Sequence, residues 1–225
     1  MIPSEKKLTI KSIIFDMDGT LIDTLSDIAD SVNLILNKYN FPQHSYAKYK
    51  IFIGDGLENL VMRALPKTIN LNREKMLNEI RAQYQKNLNS KTVVYEGILD
   101  LLDFLLLKKV KVGICTNKPH KSALICSKKY FEKYKIFTLG AGHGFNIKPD
   151  PSGVQSILNQ FRVNAQESLF IGDSDIDIYT AKNAGIPSVG VLWGFRKEQE
   201  LRDAGADFIF KYPKDLLKYL KTAIF

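Results

Sequence analysis

Two clusters of aspartates directly follow apolar segments that predict buried strands. Residues 13–15 lead into Asp16 and Asp18, and residues 168–172 lead into Asp173 and Asp177. Desolvating a carboxylate is costly unless a cation compensates it, so a buried strand has no structural use for such pairs. Because both strands end in aspartates, we expect the two clusters to share one cation site. Carboxylate oxygens suit a hard ion, so the predicted ion is Mg²⁺.

Further polar residues follow the other predicted strands. Thr116 and Asn117 come after the strand at 110–115, and Lys148 lies in the loop after the strand at 136–139. In parallel sheets, ligands bind at the carboxyl ends of the strands, so all these groups are expected at one edge. A carboxylate beside a metal can attack phosphorus, a second can move a proton, and an ammonium and a hydroxyl can hold phosphate oxygens. This combination predicts phosphoryl transfer.

The order of predicted elements indicates how these residues are positioned. From residue 93 onward strands alternate with helices, which is typical of a parallel sheet with crossover connections. Apolar residues at helical spacing predict helices over 21–41, 57–65 and 71–88. The predicted fold is therefore α/β, with a doubly wound, Rossmann-like parallel-sheet core. A small all-helical cap domain, residues 22–92, is inserted after the first strand of a core formed by residues 1–21 and 93–225.

Composition and charge narrow the function classes. The chain has 225 residues, 45% hydrophobic, and a formal net charge of +8. Its lysines are scattered, with no run of five like charges, so we expect solvated helix faces rather than a nucleic-acid-binding tail. The net positive charge can equally attract a small anionic substrate.

Targeting and redox features predict a cytoplasmic protein. Residues 1–7 are not followed by an apolar segment, so no signal peptide is expected. The apolar run at 99–107 contains two aspartates and is too short to span a membrane. Cys115 and Cys126 form no CxxC pattern, and we interpret them as packing residues in a reducing compartment.

Four motifs in this order resemble those of the haloacid dehalogenase-type phosphohydrolases. The first motif is Asp-Met-Asp-Gly-Thr at 16–20, and the second is Thr-Asn at 116–117. Lys-Pro at 148–149 resembles the third, and Gly-Asp-Ser-Asp-Ile-Asp at 172–177 resembles the fourth. One such motif is weak, whereas four in order are highly specific.

The resemblance implies a role for each of these residues. Asp16 would be the nucleophile. Asp18 would be the general acid/base and would also give its backbone carbonyl to Mg²⁺. Asp173 would complete the metal ligands, with Asp177 supporting the site. Backbone amides after Asp16 would help to hold the phosphoryl group, together with three side chains: Thr116, Asn117 and Lys148.

Within this family, residues 52–65, 116–119 and 188–196 are similar to bacterial phosphoglycolate phosphatases. The resemblance implies that the helical insert is a lid that selects the substrate, here 2-phosphoglycolate. Gly54, Asp55 and Gly56 would then contact substrate, while Arg63 could grip a substrate carboxylate or be a surface cation. Residues 140–151 depart from the pattern by being a residue or two shorter, which bears on the substrate and not on the metal chemistry.

Several alternatives stay open. The expected partner is a small anionic phosphorylated metabolite, and pyrophosphate, pyridoxal phosphate and sugar phosphates are candidates beside 2-phosphoglycolate. A phosphosugar mutase would carry a histidine in the first cap helix, where this chain has Ile28 or Ala29. A dehalogenase would lack Asp18. A non-catalytic basic binding protein would show a damaged catalytic residue. Neither nucleic acid nor membrane is an expected partner, and the sequence is compatible with a monomer or a homodimer.

Overall fold

The structure is a computed structural model that describes residues 10–67 and 72–223. The predicted helix start at Leu71 lies outside the described residues, as do residues 1–9 and 224–225, which the prediction assigned to the core.

Over residues 10–67 and 72–223, eight strands form one large and one small sheet. They are β1 (Ser12–Phe15), β2 (Ile22–Asp23), β3 (Val93–Val94), β4 (Lys111–Pro119), β5 (Phe137–Ala141), β6 (Ser168–Gly172), β7 (Ser188–Val191) and β8 (Phe208–Phe210). The large sheet has the order β5-β4-β1-β6-β7-β8, and every adjacent pair is parallel. The predicted α/β doubly wound fold is therefore confirmed.

The described part of the chain also contains ten α-helices. They are α1 (Leu25–Lys38), α2 (Tyr46–Phe52), α3 (Leu57–Ala64), α4 (Arg73–Asn87), α5 (Ile98–Leu107), α6 (His120–Phe131), α7 (Ser152–Phe161), α8 (Asp175–Ala184), α9 (Glu198–Ala204) and α10 (Pro213–Ala223). Among the described residues, no helix is both long and apolar enough to cross a bilayer.

Both faces of the large sheet are buried. Ile13 and Phe15 of β1 contribute to a hydrophobic cluster with α5, α6 and α10, whereas Ile14 contributes to a second cluster with α7 and α8. Burial on both faces explains why the central strand is a continuous apolar run rather than an alternating one. The free thiols Cys115 and Cys126 are buried in these clusters, which agrees with their predicted packing role.

Helices α1 to α4 form the helical insert, residues 25–87. Its helices share a hydrophobic cluster of their own, built around Leu36, Tyr49 and Ile80. The insert lies between β2 and β3, which pair antiparallel with Ile22 opposite Val94. The exact division into core and cap domains stays a prediction.

The prediction for the insert differs from the structure in two places. The first helix is shorter than predicted: residues 21–24 are not helical, because β2 precedes α1, and the helix ends at Lys38 rather than at residue 41. Helix α2 was not predicted, since it has seven residues and buries only Tyr49 and Phe52. A pattern of two apolar positions is too short to show helical periodicity. Local capping supports this helix, as the Ser45 side chain accepts a hydrogen bond from the backbone N–H of Lys48.

Candidate active site

The candidate nucleophile lies at the centre of the sheet edge. Asp16 directly follows β1, which is flanked by β4 and β6, and its backbone N–H donates to the carbonyl of Ile171 at 2.8 Å. The Asp16 side chain is buried, and its Oδ1 lies 2.8 Å from Lys148 Nζ. Burial raises the pKa of Asp16 to about 6, against the attraction of Lys148.

Lys148 bridges two carboxylates. Its Nζ also lies 2.5 Å from Asp177 Oδ1, and its side chain is 4% exposed. Burial lowers the pKa of the Lys148 ammonium, but the charges of Asp16 and Asp177 raise it by more. This group therefore stays protonated at neutral pH. The structure therefore brings Lys148 and Asp177 together with Asp16, while their roles at the site stay predictions.

Asp177 is held from the other side by the first turn of α8. Its Oδ2 accepts hydrogen bonds from the backbone N–H and the hydroxyl of Ser174, at 3.0 and 2.7 Å. This reciprocal capping box fixes the carboxylate at the helix start. Asp177 thus orients Lys148 toward Asp16.

Asp173 follows β6 and lies against the loop after β1. Its Oδ2 accepts the Phe195 N–H at 2.7 Å, and its Oδ1 lies 3.4 Å from the Thr20 hydroxyl. A Cβ at Gly19, where φ is +87°, would overlap the Asp173 carboxylate. The close approach of the first and fourth motifs therefore depends on that glycine.

The donor set fits a hard divalent cation. One oxygen each of Asp16, Asp173 and Asp177 lies within 4.8 Å of the others, and all three residues are buried. In the described part of the chain, Asp173 accepts hydrogen bonds but forms no ion pair. Burial, together with the charges of Asp177 and Asp16, raises the pKa of Asp173 well above its usual value. This uncompensated negative charge is what a bound cation would neutralise.

Asp18 has a different partner from Asp16. Its Oδ1 accepts a hydrogen bond from Lys118 Nζ at 2.8 Å, and the same ammonium donates to the Tyr84 hydroxyl of α4. The two aspartates of the first motif are therefore paired with two different buried lysines. Sequence reasoning identified Asp18 and Lys148 but gave no role to Lys118.

The predicted phosphate-binding residues of the second motif lie at the carboxyl end of β4. Thr116 and Asn117 are both buried and line the cavity between the sheet and the helical insert. The Asn117 side-chain amide forms hydrogen bonds with backbone groups. Its Nδ2 donates to the carbonyls of Gly54 and Lys148, and its Oδ1 accepts a hydrogen bond from the Lys148 N–H. Asn117 thus ties the loop that carries Lys148 to the insert, while phosphate binding by Asn117 stays a prediction.

The predicted insert residues separate into two groups. Gly54 and Gly56 line the cavity, and Gly56 precedes α3 with φ +96°. Arg63 instead pairs with Asp55 and donates to the Phe52 carbonyl at 3.0 Å. Neither Arg63 nor Asp55 is among the residues that line this cavity in the described chain. Their proposed substrate contact stays untested, and Asp55 compensates the charge of Arg63.

Arg196 links the core to the insert, which sequence reasoning did not predict. Its guanidinium donates to the carbonyls of Lys50, Ile51 and Ile53 at the end of α2. The preceding residue, Phe195, packs on the hydrophobic cluster of the insert and donates its N–H to Asp173. The segment 195–196 therefore connects a candidate metal ligand to the insert. The one sequence signal that pointed to this segment was the similarity of residues 188–196 to bacterial phosphoglycolate phosphatases.

The cavity itself is lined by both parts of the chain. The core lines it with Asp16, Asp18, Thr116 and Asp173, and the cations at its wall are Lys118 and Arg196. The insert contributes apolar side chains, namely Ile28, Ile53, Leu57 and Leu60. Two carboxylates and cationic groups at one cavity suit the transfer of an anionic group.

Comparison with known proteins covers nearly the whole chain. The family model of haloacid dehalogenase-like hydrolases matches residues 13–191. A phosphoglycolate phosphatase of Vibrio cholerae serotype O1 is 30% identical, with 89% of this chain and 92% of that protein covered. The phosphoglycolate phosphatase of Mannheimia succiniciproducens is 31% identical, with 92% and 97% covered. A crystal structure from Lactobacillus delbrueckii subsp. bulgaricus, provisionally assigned as a phosphoglycolate phosphatase, has a TM-score of 0.86 at 28% identity, covering 94% and 98%.

Proposed function

Because the chain belongs to the haloacid dehalogenase-like hydrolases, we propose that it is a Mg²⁺-dependent phosphatase that forms an aspartyl phosphate on Asp16. The proposed substrate is a small phosphomonoester, 2-phosphoglycolate. The observation that carries the proposal is the convergence of Asp16, Asp18, Lys148 and Asp173 at one edge of the sheet.

In the first step, the Asp16 carboxylate attacks phosphorus while the bond from phosphorus to the ester oxygen breaks. Asp18 gives its proton to that oxygen, so the alcohol leaves uncharged. Lys148 favours the ionised form of Asp16 and compensates charge that develops on the phosphoryl oxygens. The Thr116 hydroxyl, which lines the cavity, would donate to one of those oxygens.

In the second step, Asp18 removes a proton from water, and that water attacks the phosphorus of the aspartyl phosphate. The acyl–phosphate bond breaks, so inorganic phosphate leaves and the Asp16 carboxylate is restored. Asp18 is thereby protonated again, so both aspartates are back in the state in which the first step began.

The proposed metal ligands are the side chains of Asp16 and Asp173 and the backbone carbonyl of Asp18. Asp177 supports the site through Lys148 and its capping box. When bound, Mg²⁺ would neutralise charge on the carboxylates and on the phosphoryl group.

The substrate proposal rests on the relatives and on the cavity. Both bacterial relatives named above are phosphoglycolate phosphatases. The Arg196 guanidinium at the cavity wall supports an anionic substrate. A phosphosugar mutase would present a histidine at the position of Ile28 or Ala29. Neither is a histidine here, and Ile28 adds an apolar side chain to the same wall, which favours hydrolysis over a mutase.

The test is phosphate release from 2-phosphoglycolate, pyrophosphate, glucose 6-phosphate and pyridoxal phosphate, each with Mg²⁺ and with EDTA. We expect Mg²⁺-dependent turnover that is fastest on 2-phosphoglycolate and is lost in Asp16→Asn. Faster turnover of another of these compounds would contradict 2-phosphoglycolate as the substrate but would still agree with the mechanism. Turnover that persists in Asp16→Asn would contradict the mechanism.

A further inference from the structure

A second buried lysine lies in the cavity wall, and the mechanism above does not use it. Lys118 belongs to the end of β4, two residues after Thr116, and its side chain is 1% exposed. Its ammonium lies 2.8 Å from Asp18 Oδ1, donates to the Tyr84 hydroxyl, and sits 5.1 Å from the centre of the Tyr84 ring. All three residues line the cavity.

Burying an ammonium is costly unless it is paired and hydrogen-bonded, so its partners determine where it can stay. The Lys118 ammonium has both kinds of partner, since it pairs with the Asp18 carboxylate and donates to the Tyr84 hydroxyl. A charged donor with two acceptors in a dry site fixes the direction of both acceptors. Here one acceptor is the carboxylate that moves the proton.

The two acceptors come from different parts of the chain. Asp18 lies in the loop after β1, whereas Tyr84 lies on α4 of the helical insert and is 3% exposed. A neighbouring contact holds the same helix to the core, because Gln85 donates to the Ser122 hydroxyl of α6. The Lys118 ammonium therefore keeps both of its partners only while α4 lies against the core.

We propose that Lys118 is a positioning residue that holds the Asp18 carboxylate for proton transfer, and that Tyr84 makes this positioning depend on closure of the insert. The inference rests on the proposed function, since it assigns the proton-transfer role to Asp18. In the open arrangement Lys118 loses the Tyr84 hydroxyl, so Asp18 is correctly held only when the insert encloses the substrate.

The two chemical steps need Asp18 differently, and this gives a specific test. An alkyl ester needs the Asp18 proton to release its alcohol, whereas p-nitrophenyl phosphate releases a stable nitrophenolate without one. Both substrates need Asp18 as the base that activates water in the second step. A variant with a misplaced Asp18 should therefore form the aspartyl phosphate normally from p-nitrophenyl phosphate and then hydrolyse it slowly.

The experiment compares the wild-type protein, Lys118→Met, Tyr84→Phe and the control Lys121→Met, which changes an exposed lysine three residues further on. The first substrate is whichever alkyl ester the wild type hydrolyses fastest, and the second is p-nitrophenyl phosphate in rapid-quench assays.

For Lys118→Met we expect kcat on the alkyl ester to fall at least about 100-fold with KM changed less than about threefold. With p-nitrophenyl phosphate we expect a burst of one nitrophenolate per active site, followed by slow turnover. Tyr84→Phe should lower kcat on the alkyl ester about three- to tenfold, and Lys121→Met should behave as wild type.

Three results would overturn the inference. A rise in KM with unchanged kcat would make Lys118 a substrate-binding group. A burst rate that falls as much as the alkyl-ester rate would make it structural. If Lys118→Met does not fold, Tyr84→Phe decides, because it keeps the Asp18–Lys118 pair: a lower kcat on the alkyl ester with an unchanged burst rate supports the inference, and equal losses contradict it. A wild type without any turnover would refute the proposed function instead.

Discussion

Asp16→Asn should stabilise the metal-free protein at neutral pH. The wild-type carboxyl has a pKa of about 6 in the folded protein, compared with 3.8 as its ordinary value, and burial is the main cause. The folded state therefore binds the Asp16 proton more tightly than the unfolded chain does. Between these two pKa values the stability of the wild type falls as pH rises, and this contribution is lost above pH 6. Asparagine carries no charge at any of these pH values, so the folded Asp16→Asn protein does not lose this stability as pH rises.

The size of the effect follows from the shift in pKa. A difference of about two units corresponds to about 3 kcal/mol at pH 7, and to less than about 1 kcal/mol at pH 4. The substitution does not strand Lys148, because its ammonium keeps the 2.5 Å contact with Asp177. We therefore expect Asp16→Asn to be more stable than the wild type by about 2 to 3 kcal/mol at pH 7, with the difference shrinking toward pH 4.

The assay is equilibrium denaturation of both proteins in EDTA at pH 4, 5 and 7. Asp203→Asn changes an exposed carboxyl on α9 and is the matched control, with an expected change below about 0.5 kcal/mol at each pH. A variant that is equally stable or less stable than the wild type at pH 7 would refute the reasoning. A stabilisation that does not decrease toward pH 4 would also contradict it, because burial of the charge would then not be its cause.

Three further substitutions test the remaining contacts. Lys148→Met leaves two buried carboxylates without their ammonium and should lower the free energy of unfolding by about 3 to 5 kcal/mol in EDTA, measured by denaturation. Gly19→Ala places a methyl group against Asp173 at a positive φ, and isothermal titration should show Mg²⁺ affinity reduced at least about tenfold. Arg196→Met removes the donors to the end of α2 and should raise KM about tenfold with a smaller change in kcat, measured by steady-state kinetics. Unchanged stability, metal affinity or KM, respectively, would show that the contact concerned has no such role.

The residues that sequence reasoning placed correctly share a local pattern. Asp16 and Asp173 each follow an apolar strand, and the parallel register that sets Phe15 opposite Ile171 brings the two strand ends together. The pattern needs only strand order and burial, both of which are visible in the sequence. The fold class could be predicted for the same reason, because alternation of strands and helices restricts the topology.

The residues that were missed depend on contacts between distant segments. Lys118 and Asp18 are 100 positions apart, and Arg196 and Ile53 are 143 apart. Nothing near Lys118 in the sequence shows that its ammonium turns toward Asp18. Arg63 is a related case: the sequence left open whether it binds a substrate carboxylate or is a surface cation, and it did not indicate the pairing with Asp55, eight residues earlier. Side-chain pairing across the insert is decided by packing, which periodicity does not report.

The most direct test of the central claim is to identify the phosphorylated residue during turnover. The protein is mixed with Mg²⁺ and excess 2-phosphoglycolate, quenched in acid, digested and analysed by mass spectrometry, with an EDTA sample as control. We predict that the peptide containing Asp16 gains the mass of one phosphoryl group, and that fragmentation assigns this gain to Asp16 rather than Asp18. Product formation with the phosphoryl group on another residue, or with no phosphorylated peptide at any time point, would contradict an aspartyl-phosphate mechanism on Asp16.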